Sequence, residues 1–133
     1  MTKRARPVSP FMLGQVYRFQ ITSVMSLLHR VSGVILSFGA FGVAWWLLAV
    51  AQGGDAYAQV AGVMASWPGK VVLFGFSMAL IYHLLNGIRH LLQDGGMGFS
   101  IPQFVRSSLI SMIGSVLLTA IVWGVFLVRW GQA

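Results

Sequence analysis

The sequence predicts an all-α membrane protein with three transmembrane helices and a cytoplasmic N-terminus. Three observations predict it. Of its 133 residues 57% are apolar and only 8% charged, where a soluble domain carries about 25% charged residues. Mean hydropathy is +0.81. Three uncharged apolar runs, Val31 to Ala51, Val71 to Ile88 and Ser107 to Val128, each approach the roughly 20 residues that cross about 30 Å of hydrocarbon as a helix. The runs are continuous rather than alternating, which favours helices, and a membrane β-barrel needs at least about eight strands. The remaining length holds no soluble catalytic domain. With no cysteine, the chain has no disulfide, thiolate metal site, iron–sulfur cluster or cysteine nucleophile of its own.

Residues 1–21 read as a cytoplasmic N-terminal segment, irregular at first, with Lys3, Arg4, Arg6 and Arg18 among Pro7 and Pro10. Residues 22–133 read as one three-helix transmembrane domain, with spans at about 22–51, 70–93 and 104–129. The first apolar run begins too late and is too long for a cleaved signal peptide, and Trp45-Trp46 resembles an interfacial belt. Thr22 or Ser23 is positioned to cap its helix. In the connection from Gln52 to Gly69, Gly53-Gly54-Asp55 marks a turn, Ala56 to Ser66 is readable as a short surface helix, and Trp67-Pro68 opens the second span. A short Gly-rich connection, Gln93 to Gln103, leads to the third.

Basic residues set the orientation. With the N-terminus inside, Lys3, Arg4, Arg6, Arg18, Arg30, Arg89 and Arg106 are cytoplasmic and only Lys70 and Arg129 lie outside, as the positive-inside rule requires. The net charge of +7 therefore expresses topology; nucleic-acid binders gather such charge on a soluble face.

His83 lies ~13 Å from the inner end of the second span near Leu92, so it is close to mid-membrane. An ionisable group there faces a partner or a cavity. Three readings stand: a neutral imidazole bonded to a neighbouring Ser or Thr, a haem or metal ligand, or a proton relay. Gly87 and His90 follow on a similar face with Arg89 beside them. Gly87 suits either a flat macrocycle or close helix packing, and basic groups near the surface suit haem propionates. Counting inward from the ends of the other apolar runs finds no second axial ligand: Phe38 and Ser115 occupy that depth, His29 falls roughly 14 Å too shallow, and Met112 is a turn off. A second ligand is therefore expected from another subunit, making this chain part of a heteromeric helical bundle.

Ser26 and Arg30 are one turn apart, as are His29 and Gly33. The plain reading has Arg30 reaching lipid headgroups and Ser26 bonded to a backbone carbonyl. The functional one is a pocket for a polar headgroup on an apolar tail, such as a quinone, with Ser26 donating to a carbonyl oxygen and Arg30 stabilising developing negative charge.

These residues belong to longer motifs. R-P-V-S-P at Arg6 to Pro10, T-S-V-M-S-L-L-H-R-V-S-G-V at Thr22 to Val34 and Y-H-L-L-N-G-I-R-H-L-L-Q-D at Tyr82 to Asp94 resemble the cytochrome b556 membrane-anchor subunit family of succinate dehydrogenase, complex II. The likeness covers nearly the whole chain, although the third span carries little motif. It implies that His83 is an axial ligand of haem b, with the other axial histidine supplied by a second small anchor subunit. It implies that Ser26 and Arg30 form part of a ubiquinone or menaquinone site completed by the iron–sulfur and second anchor subunits. His29, Arg30 and His90 then belong to the propionate environment. Tyr82, Arg89 and Asp94 read as structural, with Arg89 and Asp94 as a pair; Arg18 has no assigned role.

On this resemblance the chain is a non-catalytic subunit of succinate:quinone oxidoreductase in a bacterial inner membrane. Its partners are a flavoprotein subunit, an iron–sulfur subunit, the second anchor and the lipid bilayer, with no nucleic acid. Two alternatives are an anchor of a quinol:fumarate reductase and a haem-free structural scaffold.

Overall fold

A computed structural model describes residues 20–98 and 100–130. The basic N-terminal motif with Lys3, Arg4, Arg6 and Arg18 lies outside the described residues, which contain four helices and no strand. We label them α1 (Ile21–Gln52), α2 (Gly54–Ala65), α3 (Trp67–Asp94) and α4 (Ile101–Trp130). Three of them, α1, α3 and α4, are long and apolar enough to span a membrane. Each extends beyond its apolar run, because a helix that leaves hydrocarbon can continue with polar residues in the headgroup layer.

Local chemistry sets the boundaries. Thr22 and Ser23 do not cap α1: the cap position is Gln20, whose carbonyl already accepts from the Ser23 and Val24 amides, and no side chain caps it. At the other end the chain reverses at Gly53, whose φ of +66° is open to glycine and strained for other residues. The connection that follows is mostly helix, α2, confirming the expected short surface helix and moving its start back to Gly54. Ser66 then caps α3, its hydroxyl accepting from the Gly69 amide at 3.2 Å, with Pro68 in the first turn where a missing N–H costs nothing. Gly69 is tied to this corner, since a Cβ there would collide with the backbone of Val63 and Met64.

α3 is central, packed against both α1 and α4. The interior inverts that of a soluble domain. Ser32, Asn86, Arg89, Ser108, Ser111, Ser115 and Thr119 are buried, while Phe38, Phe41, Leu48, Leu117 and Val128 face outward. Hydrocarbon solvates large apolar side chains as well as a protein core does, so close backbone approach between small residues becomes the packing force. On α4 the hydroxyls of Ser108, Ser115 and Thr119 bond back to the carbonyls of Phe104, Met112 and Ser115 at 2.7–2.9 Å. They thus present small surfaces to α3 with their polar atoms satisfied.

Candidate functional site: a histidine pair and a polar groove

Where α1 crosses α3, each helix offers a glycine to the other's histidine. A Cβ on Gly33 would come 3.1 Å from His83 Cε1, and one on Gly87 would lie 4.0 Å from His29 Nε2. The absent side chains let the two imidazoles overlap. Their centroids are 4.1 Å apart with ring planes inclined by 17°, and His90 lies on the other side of His29, tilted, at 5.2 Å.

His29 therefore lies beside His83, and its expected shallow position is corrected. The sequence count measured depth from the edges of the apolar runs. Measured from the helix ends at Ile21 and Asp94, His29 is ~12 Å and His83 ~16 Å along its helix, which brings the rings level. Closeness does not make them joint ligands. Stacked rings turn their faces to each other, whereas two axial imidazoles of one iron must point nitrogens at it from opposite sides. Among the described residues no group of three or more His, Cys, Asp or Glu side chains is arranged to hold a metal ion.

Polar atoms converge on one nitrogen of His83. Nδ1 lies 3.0 Å from Ser32 Oγ and 3.2 Å from the His29 carbonyl oxygen, and the buried Ser32 hydroxyl donates to that same carbonyl at 2.8 Å. Nδ1 is thus engaged inside the chain, which leaves Nε2 for an external partner. A histidine held at one nitrogen by a hydroxyl or carbonyl is the usual form of a metal-bound imidazole. This arrangement fits an axial ligand of haem. His29 Nε2 is buried without a hydrogen-bond partner, a second polar atom in the pair that this chain leaves unsatisfied.

A turn toward the start of α1, Thr22, Ser23, Ser26, Leu27 and Arg30 line an open groove of about 390 Å³. The structure brings Ser26 and Arg30 together as the spacing requires. It also bears on the plain reading of Ser26. Ser32, Ser37, Ser77 and Ser107 each donate to a carbonyl of their own helix, but the Ser26 hydroxyl has no such bond among the described residues. Arg30 is exposed beside it.

Arg89 departs from expectation. It does not pair with Asp94, which is exposed. Its Nε donates to Asn86 Oδ1 at 3.1 Å and its guanidinium carbon lies 4.7 Å from the centre of the Phe104 ring. Only 6% of Arg89 is exposed, because the side chain turns into the α3–α4 seam rather than following the helix to its end. Tyr82, read as structural, donates to the Met25 carbonyl of α1 at 3.0 Å and is buried. Reasoning from sequence gave Ser32 and Asn86 no role. Their signal was spacing: Ser32 sits three residues after His29, and Asn86 three after His83 and three before Arg89.

These features define a membrane-embedded helical subunit that carries a half-buried histidine site and an adjoining polar groove. Residues 2–123 match the family described as succinate dehydrogenase/fumarate reductase transmembrane subunit, and the chain belongs to that family. Among its relatives, the succinate dehydrogenase cytochrome b556 subunit of Paracoccus denitrificans is 40% identical over 123 residues, 92% of this chain and 93% of that one. The subunit of the same name from Rickettsia felis is 40% identical over 118 residues, 89% of this chain and 90% of that one. The mitochondrial cytochrome b560 subunit of Sus scrofa is 36% identical over 118 residues, 84% of this chain and 66% of that one.

Proposed function

We propose that this chain is the cytochrome b membrane anchor of a bacterial succinate:quinone oxidoreductase. It holds haem b jointly with a second small anchor subunit and contributes Ser26 and Arg30 to the quinone-reduction site. The observation that carries the reading is the engaged Nδ1 of His83, which leaves Nε2 for iron in the middle of a span. Family membership supports the assembly with flavoprotein and iron–sulfur subunits.

In this reading succinate is oxidised on the flavoprotein and electrons reach the groove through the iron–sulfur subunit. Ser26 donates a hydrogen bond to a quinone carbonyl oxygen and orients the headgroup. Arg30 stabilises the negative charge that develops on the oxygen as electrons arrive. Its place near the start of α1, the end with more basic residues, lets protons enter from the cytoplasmic side. Haem b, when bound, supplies a one-electron store beside this path. His83 would hold it, and Arg30 with the His29 and His90 imidazoles would line the environment of its propionates. The family includes fumarate reductase subunits, but the cited relatives carry succinate dehydrogenase names, which favours the succinate-oxidising direction.

A reduced-minus-oxidised spectrum of the purified complex tests the haem assignment. The b-type band is expected to vanish in His83→Leu; an unchanged band removes His83 as ligand. Arg30→Ala is expected to lower quinone reduction while succinate oxidation with an artificial acceptor persists. Equal loss of both activities assigns Arg30 to assembly instead.

A further inference from the structure

We propose that Ser32 is the positioning residue of the haem site: its hydroxyl, together with the His29 carbonyl, accepts from the Nδ1 proton of His83 and raises the electron donation of Nε2 to iron. This rests on the reading of His83 as an axial ligand.

Proton arithmetic around Nδ1 carries the argument. The Ser32 hydroxyl has one hydrogen, and its contact with the His29 carbonyl, 2.8 Å, is shorter than its contact with Nδ1, 3.0 Å. A carbonyl oxygen can only accept, so the Ser32 hydrogen points there and its lone pair faces Nδ1. The same carbonyl lies 3.2 Å from Nδ1. An unprotonated Nδ1 would set its lone pair against that oxygen. With a proton on Nδ1, both nearby oxygens accept from it and no donor in the triangle is left over. The neutral ring then carries its lone pair on Nε2.

The arrangement spans two helices, with Ser32 at its buried end. Ser32 is 4% exposed, so water does not replace its hydroxyl, and Gly33, next in sequence, leaves the space in which the His83 ring sits. An N–H engaged by two acceptors gives the imidazole partial anionic character, which makes it a stronger donor and favours ferric over ferrous iron. Packing alone predicts no such electronic effect. Ser32 touches neither the iron nor the quinone in this scheme; it acts through His83.

The test compares Ser32→Thr, which keeps the hydroxyl, with the isosteric Ser32→Val and the smaller Ser32→Ala, all in the purified four-subunit complex. Haem per flavin, the reduced-minus-oxidised band and the haem midpoint potential are the readouts. Ser32→Thr is expected to keep the parental potential and band. Ser32→Val and Ser32→Ala are expected to shift the potential upward and to lower haem affinity by about 10- to 100-fold, as loss of an outer hydrogen-bond partner commonly does. Coincidence of the Thr and Val variants overturns the proposal, whether both bands are unshifted or both absent. Failure of both hydroxyl-free variants to assemble overturns it too, by making the hydroxyl a packing requirement. His83→Leu separates the two levels. If it leaves the band unchanged, the ligand assignment itself has failed; if it abolishes the band while Ser32→Val and Ser32→Ala keep the parental potential, only the role of Ser32 is lost.

Discussion

Tyr82 and Asn86 each settle a polar group that hydrocarbon cannot. The Tyr82 hydroxyl donates across the α1–α3 seam to the Met25 carbonyl, a bond worth on the order of 1 kcal/mol net. Tyr82→Phe should therefore inactivate at a slightly lower temperature, by a few degrees, with its haem spectrum unchanged. A lost band would move Tyr82 into the haem site. Asn86→Ala should do more damage, because it strands the buried Arg89 Nε without an acceptor, at a cost of about 1–3 kcal/mol; reduced complex in the membrane, measured as flavin bound per membrane protein, checks it. His83 stood out in sequence as a polar residue within an apolar run, and the juxtaposition of Ser26 and Arg30 was legible from their one-turn spacing. The depth of His29 was not legible. Hydropathy marks where the apolar stretch ends, whereas depth depends on where the helix begins. Nor was the partner of Arg89, as only the packed seam reveals that Phe104 and Asn86 meet it.

Glycines decide how the long helices approach. Their sequence spacing alone does not say which of them face a neighbour. A Cβ on Gly39 would run into the Phe76 ring, while one on Gly42 or Gly75 would meet nothing within 4 Å. Gly39→Ala is accordingly expected to destabilise the α1–α3 contact by about 1–3 kcal/mol, the usual range for overpacking, and Gly42→Ala to be neutral. Thermal inactivation of the two variants side by side checks this, and equal behaviour would mean that the Phe76 ring moves aside at little cost. α4 taught the opposite lesson. Its Ser108, Ser111, Ser115 and Thr119 lie on one face and are buried, yet in sequence the third span carried little motif. Their spacing was visible, but its meaning depends on a neighbouring helix. α2 was legible because an amphipathic stretch lies between the Gly53-Gly54 turn and the Trp67-Pro68 pair that opens the next span.

At the scale of the whole molecule, the distribution of charge and the order of the helices make one joint prediction about the membrane. α1 begins, α3 ends and α4 begins at the same end of the bundle, as three antiparallel spans require, and Arg30, Arg89 and Arg106 belong to that half. α2 lies at the other end, with Lys70 near it and Arg129 at the close of α4. The basic excess in the sequence then predicts the start of α1 on the cytoplasmic side and α2 outside. The chain has no cysteine, so a single introduced thiol reports its own side without interference from this polypeptide. Gln59→Cys on the exposed face of α2, and Met97→Cys in the α3–α4 connection where Met97 is 55% exposed, serve as the pair. A membrane-impermeant maleimide added to right-side-out vesicles should label Gln59→Cys and spare Met97→Cys, read on the 14.5 kDa chain after electrophoresis. Labelling of Gln59→Cys only in inverted vesicles would reverse the topology. It would also move the Ser26–Arg30 groove to the outer face, where protons for quinol formation could not enter from the cytoplasm.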